Sequence, residues 1–224
     1  MALKTALVLS RFLNPATTSL KICGVTRADD ASRLAALGVP ALGVNFWPQS
    51  KRYLDPAQAT WLAGLADRIL RVGVFVNSDP DLPIRLFHDG LLDLVQLHGD
   101  ESPADAAPLR DAGVPFVKAI GVKQASDLAH LSEFGATAIL LDAHAPGVYG
   151  GTGETIDWNL AADFRAGHPD LPLILAGGIT PDNAAAAIAA VHPAAIDIAS
   201  GAESAPGIKD FSKVEALQAA TERP

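Results

Sequence analysis

The sequence predicts an α/β fold, a single (β/α)8 TIM barrel, on three observations. From residue 19 onward, short apolar runs alternate with alanine- and leucine-rich amphipathic stretches. Strict alternation implies a parallel sheet, because parallel neighbours need a crossover that is usually a helix. Eight such units imply closure into a barrel rather than an open sheet. Finally, two late runs break into small residues, Leu173-Ile174-Leu175-Ala176-Gly177-Gly178 and Ile196-Asp197-Ile198-Ala199-Ser200-Gly201. Bare N–H groups near a helix N-terminus favour an anion, and a phosphate site after strands 7 and 8 is what this architecture offers.

Taken in order, strands are expected at 20–23, 41–46, 71–76, 94–97, 116–120, 138–142, 173–176 and 195–198. Helical stretches fall near 28–37, 56–66, 81–89, 102–112, 124–133, 157–166, 181–190 and 210–220. Asp55-Pro56 and Thr180-Pro181 read as an N-cap followed by proline at the first helical position. Gly38, Gly113 and Gly135 each follow a helical stretch, as C-capping glycines do. No G-x-G-x-x-G follows the first strand, which weakens a dinucleotide-binding alternative. Residues 1–18 precede the barrel domain, 19–224, as an extension expected to be poorly ordered. Its apolar run Ala6–Leu9 is too short for a signal segment and is followed by Arg11.

A length of 224 residues suits one large domain, and 49% hydrophobic residues suffice for a sizeable core. A net charge of -8 argues against a nucleic-acid partner, since no broad basic face is available. No apolar stretch is long enough for a membrane span. The single cysteine, Cys23, excludes an internal disulfide and a cysteine metal cluster, which makes the cytoplasm the expected compartment. The six histidines show no metal-ligand spacing, so no metal is expected. The partner expected is a phosphorylated small molecule, with the protein a monomer or homodimer.

In this architecture the chemistry sits where strands end. Strand 1 ends in Lys21-Ile22-Cys23-Gly24, strand 4 in Gln96-Leu97-His98-Gly99, and strand 6 in Leu141-Asp142. Cys23 and Asp142 form a natural base–acid pair across the mouth. A thiol beside cations can drop toward neutrality, and a carboxyl at a desolvated strand end can keep a proton to donate. Cys23 reads equally as a buried small hydrophobe, and Asp142 also as a loop-ordering carboxylate. Arg52, in Ser50-Lys51-Arg52-Tyr53, offers a fork suited to a carboxylate, or belongs to a solvated charged loop. Gln96 and His98 are substrate-binding candidates, with His98 read as an orienting group rather than a base. Gly177, Gly178, Ser200 and Gly201 form the phosphate seats. The glycine-dense stretch 145–155, with Gly147, Gly150, Gly151 and Gly153, reads as a lid or substrate-shaping loop.

Together these motifs resemble the phosphoribosylanthranilate isomerase family of tryptophan biosynthesis. The resemblance runs in order through Lys21-Ile22-Cys23-Gly24-Val25-Thr26, Ser50-Lys51-Arg52-Tyr53, Val72-Gly73-Val74-Phe75-Val76-Asn77 and Val95-Gln96-Leu97-His98-Gly99-Asp100-Glu101. It continues in Leu140-Leu141-Asp142, Gly150-Gly151-Thr152-Gly153, Leu175-Ala176-Gly177-Gly178-Ile179 and Ser200-Gly201-Ala202-Glu203. It implies an Amadori rearrangement with Asp142 as general acid, Cys23 as general base and Arg52 on the anthranilate carboxylate, with no cofactor. Two departures stand out. Ala199 replaces one of two small hydroxyl residues common in the family, and Ala202 replaces the usual aliphatic residue before Glu203. Three other phosphate-binding barrels fit less well: indole-glycerol-phosphate synthase wants a lysine acid and a glutamate, the dual-substrate isomerase an aspartate on strand 1, and thiamin-phosphate synthase a magnesium site. A catalytically silent phosphosugar-binding barrel would have no use for an intact Cys23/Asp142 pair.

Overall fold

The structure, a computed structural model, describes residues 2–143 and 156–222. Eight parallel strands close into a barrel: β1 Ser19–Ile22, β2 Ala41–Asn45, β3 Leu70–Phe75, β4 Leu94–Leu97, β5 Phe116–Val122, β6 Ala138–Ala143, β7 Leu173–Leu175 and β8 Ala195–Ile198. Closure is made by β1 against β8, in register from Ser19↔Ala195 to Ile22↔Ile198. All eight lie where the apolar runs predict, because each strand is buried and cannot shift by one residue without turning its inward set outward.

The period of two sorts the chain into a core outside the strands and a lining inside them. Leu20, Ile22, Leu42, Val44, Ile139, Leu141, Ile196 and Ile198 point outward into the helix-covered core. Ala41, Leu70, Leu94, Val117, Ala138, Ile174 and Ala195 line the lower interior. Two residues further along the strands, the inward positions of β1, β4 and β8 carry Lys21, Gln96 and Asp197, all buried.

The covering helices are α2 Ala28–Ala36, α3 Asp81–His88, α4 Ala107–Asp111, α5 Trp158–Gly167, α6 Ala184–Val191 and α7 Phe211–Thr221, after an N-terminal α1, Ala2–Phe12. Three expectations need revision here. The 56–66 stretch is a 3-10 helix, Pro56–Leu65, and its buried residues Ala59, Leu62 and Leu65 fall at the three-residue spacing of that geometry. The 102–112 stretch is regular α-helix only over Ala107–Asp111, after a proline-bearing lead-in at Pro103. The 124–133 stretch splits into 3-10 turns Ala125–Leu128 and Leu131–Phe134, parted by His130 at φ 61. Asp55 caps as expected, accepting from the Ala57 N–H at 2.9 Å. Thr180 does not cap: the helix starts at Ala184 after Asn183, whose Oδ1 accepts from the Thr180 N–H at 2.8 Å. Gly38, Gly113 and Gly135 all take the positive φ of helix-ending glycines.

The extension before the barrel, residues 1–18, includes one helix, α1. Phe12 and Leu13 bury into the same cluster as Ala41, Leu70 and Leu94. This plug closes the amino-terminal end of the barrel. Its anchor is a pair of apolar residues after the charged Arg11, too short a signal to stand out in sequence. No helix among the described residues is long and apolar enough to cross a membrane.

Candidate active site

At the carboxyl ends of the strands lies a cavity of about 330 Å³, lined by Cys23, Arg52, His98, Asp142, Gly177, Gly178, Ser200 and Gly201, together with Asn45, Trp47 and Asp197. Every site residue proposed from sequence lines it except Gln96. That side chain is buried one layer beneath, with Nε2 2.7 Å from His98 Nδ1. The stretch 145–155, read as a lid, lies outside the described residues.

Each side chain arrives by a local rule. Cys23 follows β1 and shares the inward face with Lys21 two residues earlier. Both pass over Gly43, where a Cβ would lie 2.8 Å from Cys23 Sγ and 3.1 Å from Lys21 Nζ. Asp142 ends the inward row of β6; its Oδ1 accepts from the Ala143 N–H at 2.8 Å, and its Oδ2 lies 3.3 Å from His98 Nε2. Gly177, at φ 84, leaves room for that carboxylate, which would stand 3.0 Å from any Cβ there. The loop carrying His98 is fastened from behind. Glu101 accepts from the Asn77 and Gly99 N–H groups at 2.8 and 2.9 Å, and Lys118 Nζ donates to Glu101 at 2.8 Å and to the Gly99 carbonyl at 2.7 Å.

Arg52 is already partly engaged. Its Nε donates to Glu203 Oε1 at 2.9 Å, and its Nη2 to Glu203 Oε2 at 2.6 Å. Glu203 and Lys209 sit on a small hairpin, β9 Glu203–Ala205 and β10 Ile208–Lys209. There Lys209 Nζ donates to Glu203 at 2.7 Å and to the Cys23 carbonyl at 2.5 Å. Burial alone would push the Glu203 carboxyl up, but hydrogen bonds from Arg52 and the charge of Lys209 hold it below the ordinary range. Among the described residues, Arg52 Nη1 makes no hydrogen bond, leaving one edge of the fork for an incoming anion.

The thiol departs from expectation. Burial pushes Cys23 up, and the negative charge of Asp197 adds to it; together they outweigh Lys21 and Lys209, which pull down. The neighbouring cations are present as anticipated, but burial, which no sequence spacing reveals, prevails. Burial opposes the charge on Lys21 too, but Asp197 and Cys23 overcome it and hold the ammonium above its ordinary value.

Sequence reasoning missed Lys21, Asp197 and Lys209 as members of the site. Lys21 Nζ donates to Asp197 Oδ2 at 2.7 Å and to Gln96 Oε1 at 2.9 Å. Asp197 Oδ1 is buried and accepts nothing among the described residues. A signal existed: charges at inward positions of otherwise apolar strands are costly unless they have a task.

Comparison with known proteins agrees with this geometry. A family model described as N-(5'phosphoribosyl)anthranilate (PRA) isomerase matches residues 20–220. The chain belongs to that family. The N-(5'-phosphoribosyl)anthranilate isomerase of Synechococcus sp. (strain JA-3-3Ab) is 45% identical over 201 residues, 87% of each chain. Monomers of the dimeric phosphoribosylanthranilate isomerase of Thermotoga maritima superpose with a TM-score of 0.79 at 32% identity, covering 92% of this chain and 98% of that one. A phosphoribosyl anthranilate isomerase in complex with reduced 1-(o-carboxyphenylamino)-1-deoxyribulose 5-phosphate matches with the same TM-score, identity and coverage.

Proposed function

We propose that this barrel rearranges N-(5-phosphoribosyl)anthranilate to 1-(2-carboxyphenylamino)-1-deoxyribulose 5-phosphate, with Asp142 as general acid and Cys23 as general base. Asp142 gives its proton to the ring oxygen of the ribosyl group, and the bond from that oxygen to C1 breaks to leave a protonated Schiff base. Cys23 as thiolate removes the proton from C2, and the electron pair moves to form an enolamine. Tautomerisation then yields the ketone, so the isomer leaves with the atoms it brought.

The observation that carries this reading is the placement of Cys23 and Asp142 in one cavity between two anion-accepting ends. The free Arg52 edge suits the anthranilate carboxylate, and the Gly177-Gly178 and Ser200-Gly201 segments suit the phosphate. Asp197 Oδ1, buried without a donor among the described residues, offers an acceptor to a sugar hydroxyl. The same reading has the enzyme in the cytoplasm, as a monomer or homodimer.

A fluorescence assay with freshly made phosphoribosylanthranilate, paired with rescue of a tryptophan auxotroph, tests the activity. Folded protein that neither consumes the substrate nor supports growth would overturn it.

A further inference from the structure

We infer that Lys21 is a positioning residue: acting through Gln96, it fixes His98 as the neutral tautomer protonated on Nε2, a standing hydrogen-bond donor to Asp142. The functional consequence rests on the role proposed above for Asp142; the tautomer itself does not.

The assignment follows from which groups can only donate. The Lys21 ammonium carries three N–H donors and no acceptor, and its Nζ lies 2.9 Å from Gln96 Oε1 and 2.7 Å from Asp197 Oδ2. An amide turned the other way would set its NH2 group against the ammonium, donor against donor. Gln96 Nε2 must therefore face His98, 2.7 Å from Nδ1. Since Nε2 of an amide only donates, Nδ1 must accept, and a neutral imidazole that accepts at Nδ1 holds its proton at Nε2. That proton lies on the side of Asp142 Oδ2, 3.3 Å away.

Both oxygens of Asp142 thus face a fixed donor, Oδ1 the Ala143 N–H and Oδ2 the His98 ring. When Asp142 releases its proton, negative charge develops between donors already in place, the arrangement that stabilises a transition state without reorganisation. His98 supports the acid and is not itself the acid. All participants come from inward positions: Lys21 on β1, Gln96 and His98 two residues apart at β4, and Asp142 on β6. Lys21 reaches across because Gly43 has no side chain; a Cβ there would lie 3.1 Å from Nζ.

Protein labelled with 15N-histidine, its His98 signals assigned by comparison with His98→Asn, tests this through long-range proton–nitrogen correlation spectra. The wild type should show His98 protonated on Nε2 and bare on Nδ1. Gln96→Glu, nearly isosteric, puts a carboxylate oxygen opposite Nδ1 and should move a proton onto that nitrogen. Its kcat should fall about tenfold or more while KM changes less than about threefold. Lys21→Met should release the amide and populate both tautomers. Should that variant fail to fold, the wild-type and Gln96→Glu spectra still decide. A wild-type His98 protonated on Nδ1, or an unchanged tautomer in Gln96→Glu, would overturn the inference. Absent isomerase activity in the wild type would instead count against the proposed function and leave the tautomer standing.

Discussion

The two ends of the barrel treat charge in opposite ways. At the amino-terminal end the interior is apolar, stoppered by Phe12 and Leu13, and the buried Arg71 nearby is satisfied. Its guanidinium donates to both oxygens of Asp93 at 2.8 Å and to the Leu62 and Gly90 carbonyls at 3.1 and 2.7 Å. At the carboxyl end Lys21, Asp142, Asp197, Glu203 and Lys209 are all buried, yet Asp197 Oδ1 has no donor among the described residues. Burying charge is costly, and replacing such pairs with apolar residues is often neutral or stabilising. A charge whose hydrogen-bonding capacity is filled serves the fold, whereas one kept partly open is available to a ligand.

The largest effect should come from Cys23→Ala and Asp142→Ala. Each should lower kcat about a hundredfold or more, as expected for proton-transfer groups, while thermal unfolding stays near wild type. Full turnover in both variants would end the proposed chemistry. At the other end the pattern should reverse: Phe12→Ala should lose about 3–5 kcal/mol in a urea titration, with kcat/KM unchanged wherever the protein is folded. Reduced kcat at unaltered stability would dissolve the division between the ends. Arg52→Ala should raise KM about tenfold with little change in kcat, since it removes ground-state binding; an unchanged KM would take Arg52 out of the carboxylate site.

The smallest effect sharpens the comparison within the mouth. Because Cys23 is held above its ordinary value, alkylation by iodoacetamide should titrate with a midpoint above the unperturbed thiol at about 8.5. On the proposed mechanism the base works as thiolate, so kcat/KM should rise with pH through that same value. Asp197→Asn removes a negative charge that disfavours the thiolate, so both midpoints should move to lower pH. A shift upward would show that Asp197 acts on Cys23 mainly by holding Lys21 in place.

The strands were legible because every one is buried on both faces, which writes continuous apolar runs into the chain. The mouth residues Cys23, His98 and Asp142 were legible because they end those runs. Helix type was less so: Pro56–Leu65 differs from an α-helix only in burying every third residue, a spacing that ten residues barely distinguish. The bond from Arg52 to Glu203, 151 residues away, has no local signature, and neither does the balance of burial against two lysines at Cys23. Lys21 and Asp197 were within reach, since inward parity follows once the register of β1 and β8 is known.

The Lys21–Asp197 pair spans 176 residues and bridges the two strands that complete the ring. During synthesis β1 emerges first and keeps one edge unpaired until β8 appears, so the contact waits for almost the whole chain. The ammonium that organises the mouth therefore meets its carboxylate partner only once β8 has joined the ring. A half-built ring would be catalytically silent, and turnover becomes a direct reporter of closure. In a chain split between β4 and β5, activity would return only as fast as the two halves found each other.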